Sequence, residues 1–264
     1  MNGIADINIW ELLLSFGLLV IPLMLFRWYK IGLIKSTVIS VVRMGIQLAL
    51  VAVYLEWVFE KNNALINTLW VVIMLMVGVL TSIKRVSLNW RSFVVPLFIA
   101  GFTAVLTVDA FFLGAIIKLD YVFDARYFIP ITGMILGNSL NHNIVGLSTY
   151  FKSLKEKSEL YQFLLTNTGD AKLALRPFIG EAVKHALNPM IANMSVMGII
   201  SLPGMMTGQI LGGSSPATAI KYQIMIMLSI FIGCTLNLFL SIILANRSVF
   251  NKYGNLNVAK IFKR

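Results

Sequence analysis

Cys234 is the only cysteine in the 264 residues, and the chain has just two histidines. One thiol excludes an intramolecular disulfide framework, and so few Cys and His exclude a zinc cluster of the usual Cys/His kind. Charged side chains make up 12% of the sequence, against about 25% in soluble domains. There is no G-x-x-x-x-G-K-[ST] run, so the chain lacks the loop that cradles nucleotide phosphates. It also lacks H-E-x-x-H, G-x-S-x-G and any plausible pair of catalytic carboxylates. The expectation is a protein that is not an enzyme and carries no cofactor of its own. The net charge of +11 does not point to nucleic acid, because the basic residues are scattered among loops instead of lining one soluble face.

What is present is apolar sequence: 58% hydrophobic residues, spread over the whole length. A bilayer core takes about 20 apolar residues in a helix. Seven runs of that kind occur, at residues 7–26, 36–58, 64–83, 93–117, 128–150, 189–211 and 219–245. Residues 1–9 hold no Lys or Arg and no small-x-small site follows, so the first run reads as a retained span and not as a cleaved signal. Seventeen of the twenty-two basic residues fall in one set of alternate loops. Lys61, Lys118, Arg126 and Lys221 fall in the other, and Arg43 lies inside a span. The positive-inside rule then places the N-terminus outside and the C-terminus in the cytoplasm. The predicted fold is all-α, a single seven-span domain over residues 1–264 in the plasma (inner) membrane.

One loop is long. Residues 151–188 are expected to form a cytoplasmic, amphipathic helical segment. Asp170 is placed to cap a helix, and Pro177 suits the first position of a further helix over 177–187. Ala171, Leu175, Phe178, Ala182 and Ala186 recur at helical spacing, with Arg176, Lys184 and His185 on other faces. Such a segment either receives a push from a partner protein or lies flat on anionic membrane lipid.

Polar residues inside the apolar runs are the candidate pathway. Arg43 and Gln47 stand one turn apart in the second run. Asp109 sits in the outer half of the fourth, about 15 Å in depth from Arg43 at 1.5 Å per residue. That separation argues against a direct pair and for an outer vestibule. The fifth run packs Asn138, Asn141, His142 and Asn143 into six residues. One histidine alone makes a poor metal site, so His142 reads first as structural. The sixth run holds Pro203, Gly204, Met205, Met206, Thr207, Gly208 and Gln209. Its proline breaks the backbone ladder, and Gly204, Gly208 and Gly212 form overlapping G-x-x-x-G spacings that admit close helix approach. Thirteen methionines, several in this run, read mainly as adaptable apolar filler.

The stretch Gly198-Ile-Ile-Ser-Leu-Pro-Gly-Met-Met-Thr-Gly-Gln-Ile-Leu-Gly-Gly213 resembles the signature of the FetB-type permeases, membrane subunits of putative iron-export ABC transporters, and the similar plant aluminium-tolerance membrane proteins. Arg43–Leu48, Asp124–Asn138 and Tyr222-Gln223-Ile224 agree with it. At 167–170 the chain reads Asn-Thr-Gly-Asp where relatives commonly have Gly-Ala-Thr/Ser. The resemblance implies a permease working as a homodimer with a separate ABC ATPase subunit, and iron efflux. On that basis Asp170, Arg176, Glu181, Lys184 and His185 are the ATPase-coupling candidates. Arg43, Gln47, Asn138 and Gln209 lead the pathway or gate candidates. The alternatives are a self-sufficient secondary transporter or channel, ABC export of a small organic solute such as a nucleotide sugar, and a scaffold membrane protein.

Overall fold

The computed structural model describes residues 8–251 and 254–262, with the backbone alone for 9, 258 and 259. Expectations resting on residues 1–7, and on Lys252, Lys263 and Arg264 in the charge count, lie outside the described residues. Among these residues the fold is all helical; the only extended pairings are isolated bridges.

The chain forms two compact units. The first comprises residues up to Lys61 together with Leu211–Ser214. It holds α1 (Ile9–Gly17), α2 (Val20–Trp28) and α3 (Ile34–Lys61). The first expected span is therefore two helices on one apolar stretch. Pro22 has no N–H to give to the carbonyl of Leu18, and the Ile21 N–H bonds that carbonyl instead at 3.2 Å. The ladder tightens there without leaving right-handed dihedrals. Apart from Val58 the described residues of α3 are exposed or half-buried.

The second unit comprises Asn62–Ile210 and the chain from Ser215 onward. Its helices are α4 (Ala64–Val86), α5 (Trp90–Asp109), α6 (Ala125–Glu156), α7 (Ser158–Thr168), α8 (Ala171–Val196), α9 (Gly204–Leu211), α10 (Pro216–Val249) and α11 (Val258–Ile261). α5 runs on into a π-helical segment, Ala110–Ile116. Side-chain caps set the starts: Asn63, Asn89, Asp124 and Asp170 each accept a backbone N–H from two residues on, and Ser215 accepts from Thr218. These satisfy donors that a helix leaves orphaned.

α10 packs on α5 and α6, and α6 also packs on α4 and α8. Phe93, Leu97, Ala104, Leu147, Leu238 and Ile242 are almost fully buried at this centre. Glycine admits the closest contacts: a Cβ on Gly146 would stand 2.5 Å from Leu238, and one on Gly233 would stand 2.7 Å from Ile135. Polar groups in the same seam are linked across the helices and along α10. Asn143 donates to Ser241 at 3.5 Å, Ser241 to Asn237 at 3.2 Å, and Ser139 to the Cys234 sulfur at 3.6 Å.

Five stretches are long and apolar enough to cross a membrane: Trp10–Trp28, Ile34–Lys61, Ala64–Val86, Trp90–Ile116 and Pro216–Val249. They match the first to fourth and the seventh expected spans. The fifth expected span is one helix, α6, whose 32 residues exceed bilayer thickness but whose amides leave it outside the apolar five. The sixth is not a helix. Residues 189–196 finish α8, the chain breaks over 197–203, and α9 follows. Gly198 takes φ +84°, which a continuing helix cannot contain, and Pro203 lacks the donor needed to carry one through.

A second correction concerns the cytoplasmic segment. No helix starts at Pro177; α8 starts from the Asp170 cap and passes through Pro177 and Pro189 unbroken. Ala174, Phe178, Ala182 and Ala186 form a buried i, i+4 row, and that burial outweighs the roughly 3 kcal/mol a helix-interior proline costs. The chain end then straps this region. The Asn89 N–H bonds the carbonyl of Ile261 at 2.8 Å, the Tyr161 hydroxyl donates to the carbonyl of Gly254 at 2.7 Å, and Lys155 lies over the Phe262 ring.

Candidate functional site

The break between α8 and α9 borders two sizeable cavities of the second unit. Met197 is extended, and the Gly198 N–H bonds the carbonyl of Ser201 at 2.9 Å to close a tight turn. The Pro203 carbonyl then accepts both the N–H and the hydroxyl of Thr207, at 3.0 and 3.1 Å, starting α9.

Two chambers of about 430 Å³ each flank this break and share Met197 and Met227 in their walls. The first is apolar. Met194 of α8, Leu202, Pro203 and Met206 line one side, and Ile220, Ile224 and Leu228 of α10 line the other. Its polar contributor is Gln223, 7% exposed, whose Oε1 has no hydrogen-bond partner. A buried acceptor left unpaired is costly, so Gln223 marks a wall that is incomplete as it stands.

The second chamber is mixed. Asn138, Asn141 and His142 of α6 face Pro189, Met190 and Asn193 of α8 across it. Asn138 donates to the carbonyl of Met134 at 2.8 Å on its own helix. His142 Nδ1 lies 2.6 Å from the carbonyl of Asn138. A carbonyl can only accept, so Nδ1 carries the proton, and Nε2 of the neutral ring keeps a free lone pair.

Of the sequence-predicted pathway residues, Asn138, Asn141 and His142 thus meet Pro203 and Met206 along one divided cleft. Gly204, Thr207, Gly208 and Met205 belong to the α9 segment but do not line it. Gln209 is half-buried with an unpaired Oε1. Among the described residues nothing makes the close approach expected at Gly204 and Gly208, since a Cβ at either would meet nothing within 4 Å. Asp109 lines a separate, apolar cavity of about 320 Å³ together with residues of α4, α5 and α6. It is 3% exposed, accepts a 2.6 Å bond from the Thr132 hydroxyl, and sits where α5 becomes π-helical. Arg43 and Gln47 are exposed on α3 in the first unit. Met227, Met197, Asn193 and Gln223 were not singled out as site residues by sequence reasoning. Gln223, an amide in an apolar run, was the one available signal.

Of the coupling candidates, Asp170 caps α8, while Arg176, Lys184 and His185 are exposed on it. Glu181 is engaged otherwise. Lys157 bonds its carboxylate at 3.2 Å and Ser153 donates to it at 3.1 Å, tying the end of α6 to α8. These bonds, Lys157 first, hold the Glu181 carboxyl below the usual carboxylate range. Burial pushes the nearby Tyr161 hydroxyl up. No group of three or more His, Cys, Asp or Glu that could hold a metal ion occurs among the described residues.

The model of the family described as "Uncharacterised protein family (UPF0014)" matches residues 9–250. The chain is 28% identical over 247 residues to UPF0014 membrane protein YjkA of Bacillus subtilis, covering 93% of this chain and 97% of that protein. It is 28% identical over 260 residues to the probable iron export permease protein FetB of Escherichia coli, covering 96% of each. It is 28% identical over 200 residues to Protein ALUMINUM SENSITIVE 3 of Arabidopsis thaliana, covering 75% of this chain and 71% of that protein. No solved structure matches. Matched over nearly its whole length, the chain belongs to the UPF0014 family and is a multi-pass membrane protein.

Proposed function

We propose that the chain is the permease subunit of an ABC-type exporter, driven by a separate ATPase and needing no cofactor of its own. It works as a homodimer in the inner membrane. Each subunit crosses the bilayer seven times, with the N-terminus outside. The broken α8–α9 segment counts as the sixth crossing, and the basic residues concentrate on the cytoplasmic side. One observation carries this reading: α8 is a single helix from the turns that carry the exposed Lys172, Arg176, Lys184 and His185 to the break beside the cleft. A displacement imposed on its cytoplasmic end is delivered to the break, because a packed helix moves as a body.

In this reading Arg176, Lys184 and His185 face the ATPase, and Asp170 fixes where α8 begins. The mixed chamber lies near the middle of α6 and α10 and holds cargo. The apolar chamber, toward the start of α10, is the closed outer gate, a constriction that excludes water and ions until its walls part. Gly204 and Gly208, open along α9, meet the second copy. The cargo is a metal ion, and the E. coli relative's name makes iron the first to test. Partners are therefore the ATPase, a second copy and membrane lipid.

The test is reconstitution in vesicles with the partner ATPase, following ATP hydrolysis and iron(II) movement together. Hydrolysis stimulated by a metal ion, with vectorial movement of that ion, is the expected result; iron(II) is tried first and other metal ions after it. Iron flux without any ATPase would replace the proposal with a channel or secondary transporter.

A further inference from the structure

His142 and the methionines, each unremarkable along the chain, meet in the mixed chamber. Met190, Met197 and Met227 line it together with the His142 ring. The ring's Nδ1 proton is spent on the Asn138 carbonyl at 2.6 Å. This is the arrangement that fixes the tautomer and orientation of metal-ligating histidines, leaving Nε2 as donor. The chamber's lining includes no carboxylate and no thiolate. Three thioethers and one imidazole are soft, neutral donors. They suit a thiophilic monovalent ion, while iron(II) favours imidazole with carboxylates. Asn141 and Asn193 add amide dipoles that offset the charge of the guest.

We propose that this chamber is a binding site for a soft monovalent metal ion, copper(I) or silver(I), held by His142 Nε2 and the thioethers of Met190, Met197 and Met227. The site deepens the export reading by naming the class of cargo, and it rests on that reading only for the word cargo. Binding is a property of the permease by itself, so it stands or falls without the ATPase.

The experiment uses the full-length chain purified in detergent, with copper(I) kept reduced and competed against a chromogenic copper(I) chelator, and with silver(I) in parallel. One ion per chain is expected, with sulfur and nitrogen scatterers in the X-ray absorption spectrum. Affinity should fall at least about tenfold in Met190→Leu and in His142→Leu, the cost of one lost ligand contact. It should be unchanged in Met44→Leu and Met24→Leu, which lie outside the chamber. Met227→Leu, a volume-conserving change, separates lost ligation from lost folding, because its elution and unfolding should match those of the parent chain. Binding that survives all three chamber variants, tighter binding of iron(II), or no binding at all would overturn the assignment. Copper(I) binding without ATP-driven movement would leave the site standing and remove the export reading instead.

Discussion

Gly146 and Gly208 are both glycines in apolar helices, and their surroundings are opposite. At Gly146 the side chain of Leu238 occupies the place a Cβ would take, whereas at Gly208 that place is empty to 4 Å. For polar groups the contrast lies in the bonds made and not in the acceptors left over, since Asn143 in the seam also keeps an unpaired Oδ1. In the α6–α10 seam Asn143 donates to Ser241 across the helices, and Ser241 donates to Asn237 one turn away on α10. Along α9 and the start of α10, Gln209 and Gln223 keep unpaired carbonyl oxygens. Close-packed interiors resist displacement and transmit strain, while segments with few closed contacts open at little cost. The seam therefore serves as a frame, and the break with its flanking helices serves as the part that moves.

The strongest way to break that comparison is a paired substitution. Gly146→Val forces a branched side chain into Leu238, and overpacking of this kind costs about 1–3 kcal/mol. Gly208→Val finds open space and should leave the unfolding temperature of the solubilised monomer unchanged. If the open face of α9 meets a second copy, Gly208→Val instead lowers dimer content and transport. Unfolding by a dye-based thermal scan and mass by light scattering read the two effects separately. Equal destabilisation by both would erase the distinction between frame and mover.

Charge reversal sharpens the comparison at its cytoplasmic end. Lys184 is exposed on α8, and reversing it to Glu should weaken ATPase docking by about tenfold or more, since like charges brought together at an interface cost several kcal/mol. Stability of the isolated permease should not change. Docking measured by co-elution, with ATP hydrolysis as the second readout, checks this. Unaltered docking would move the coupling face elsewhere on α7 or α8.

Gln223 offers an effect of the opposite sign. Its Oε1 is buried without a partner, so Gln223→Met removes a desolvation penalty and keeps the volume. The resting state should gain about 1 kcal/mol. Transport should slow, because a wall completed with a thioether has less reason to part. Thermal unfolding of the purified chain and the rate of cargo movement are the measurements.

How much of this stands in the sequence depends on the range of the interaction. The apolar runs, the Asp170 cap and the basic-loop bias are local or additive signals, and each can be read within a few turns. Pro177 misleads because the local rule for proline is overridden by the buried row Ala174–Phe178–Ala182–Ala186. The methionines and His142 are separable in sequence and inseparable in space: Met227 reaches the same chamber as His142 only because α10 packs on α6. The strap of residues 254–262 is invisible for a further reason. It is held by backbone groups, such as the Asn89 N–H on the Ile261 carbonyl, and backbone bonding leaves no composition to read.

The smallest expected effect isolates Glu181, which ties the end of α6 to the mover. Its carboxyl is held below the usual range by Lys157 and then Ser153. A depressed folded value means that the bond's contribution is complete above the unfolded pKa of about 4.3. It is lost as pH falls through the folded value, so the window lies below about pH 4.5. Both partners are substantially exposed, at 49% and 39%, and solvent screening limits such a pair to about 0.5 kcal/mol. Glu181→Gln removes the charge while its amide oxygen still accepts from Ser153. The variant should therefore lose a few tenths of a kcal/mol near pH 7 and nothing at about pH 2, below both the unfolded and the depressed folded values. Apparent unfolding temperatures of the two proteins, compared from about pH 7 to about pH 2, should converge on acidification below about pH 4.5. A gap that widened toward acid would mean that the charged bond is not what joins α6 to α8, leaving the buried faces of those helices to hold the frame to the moving segment alone.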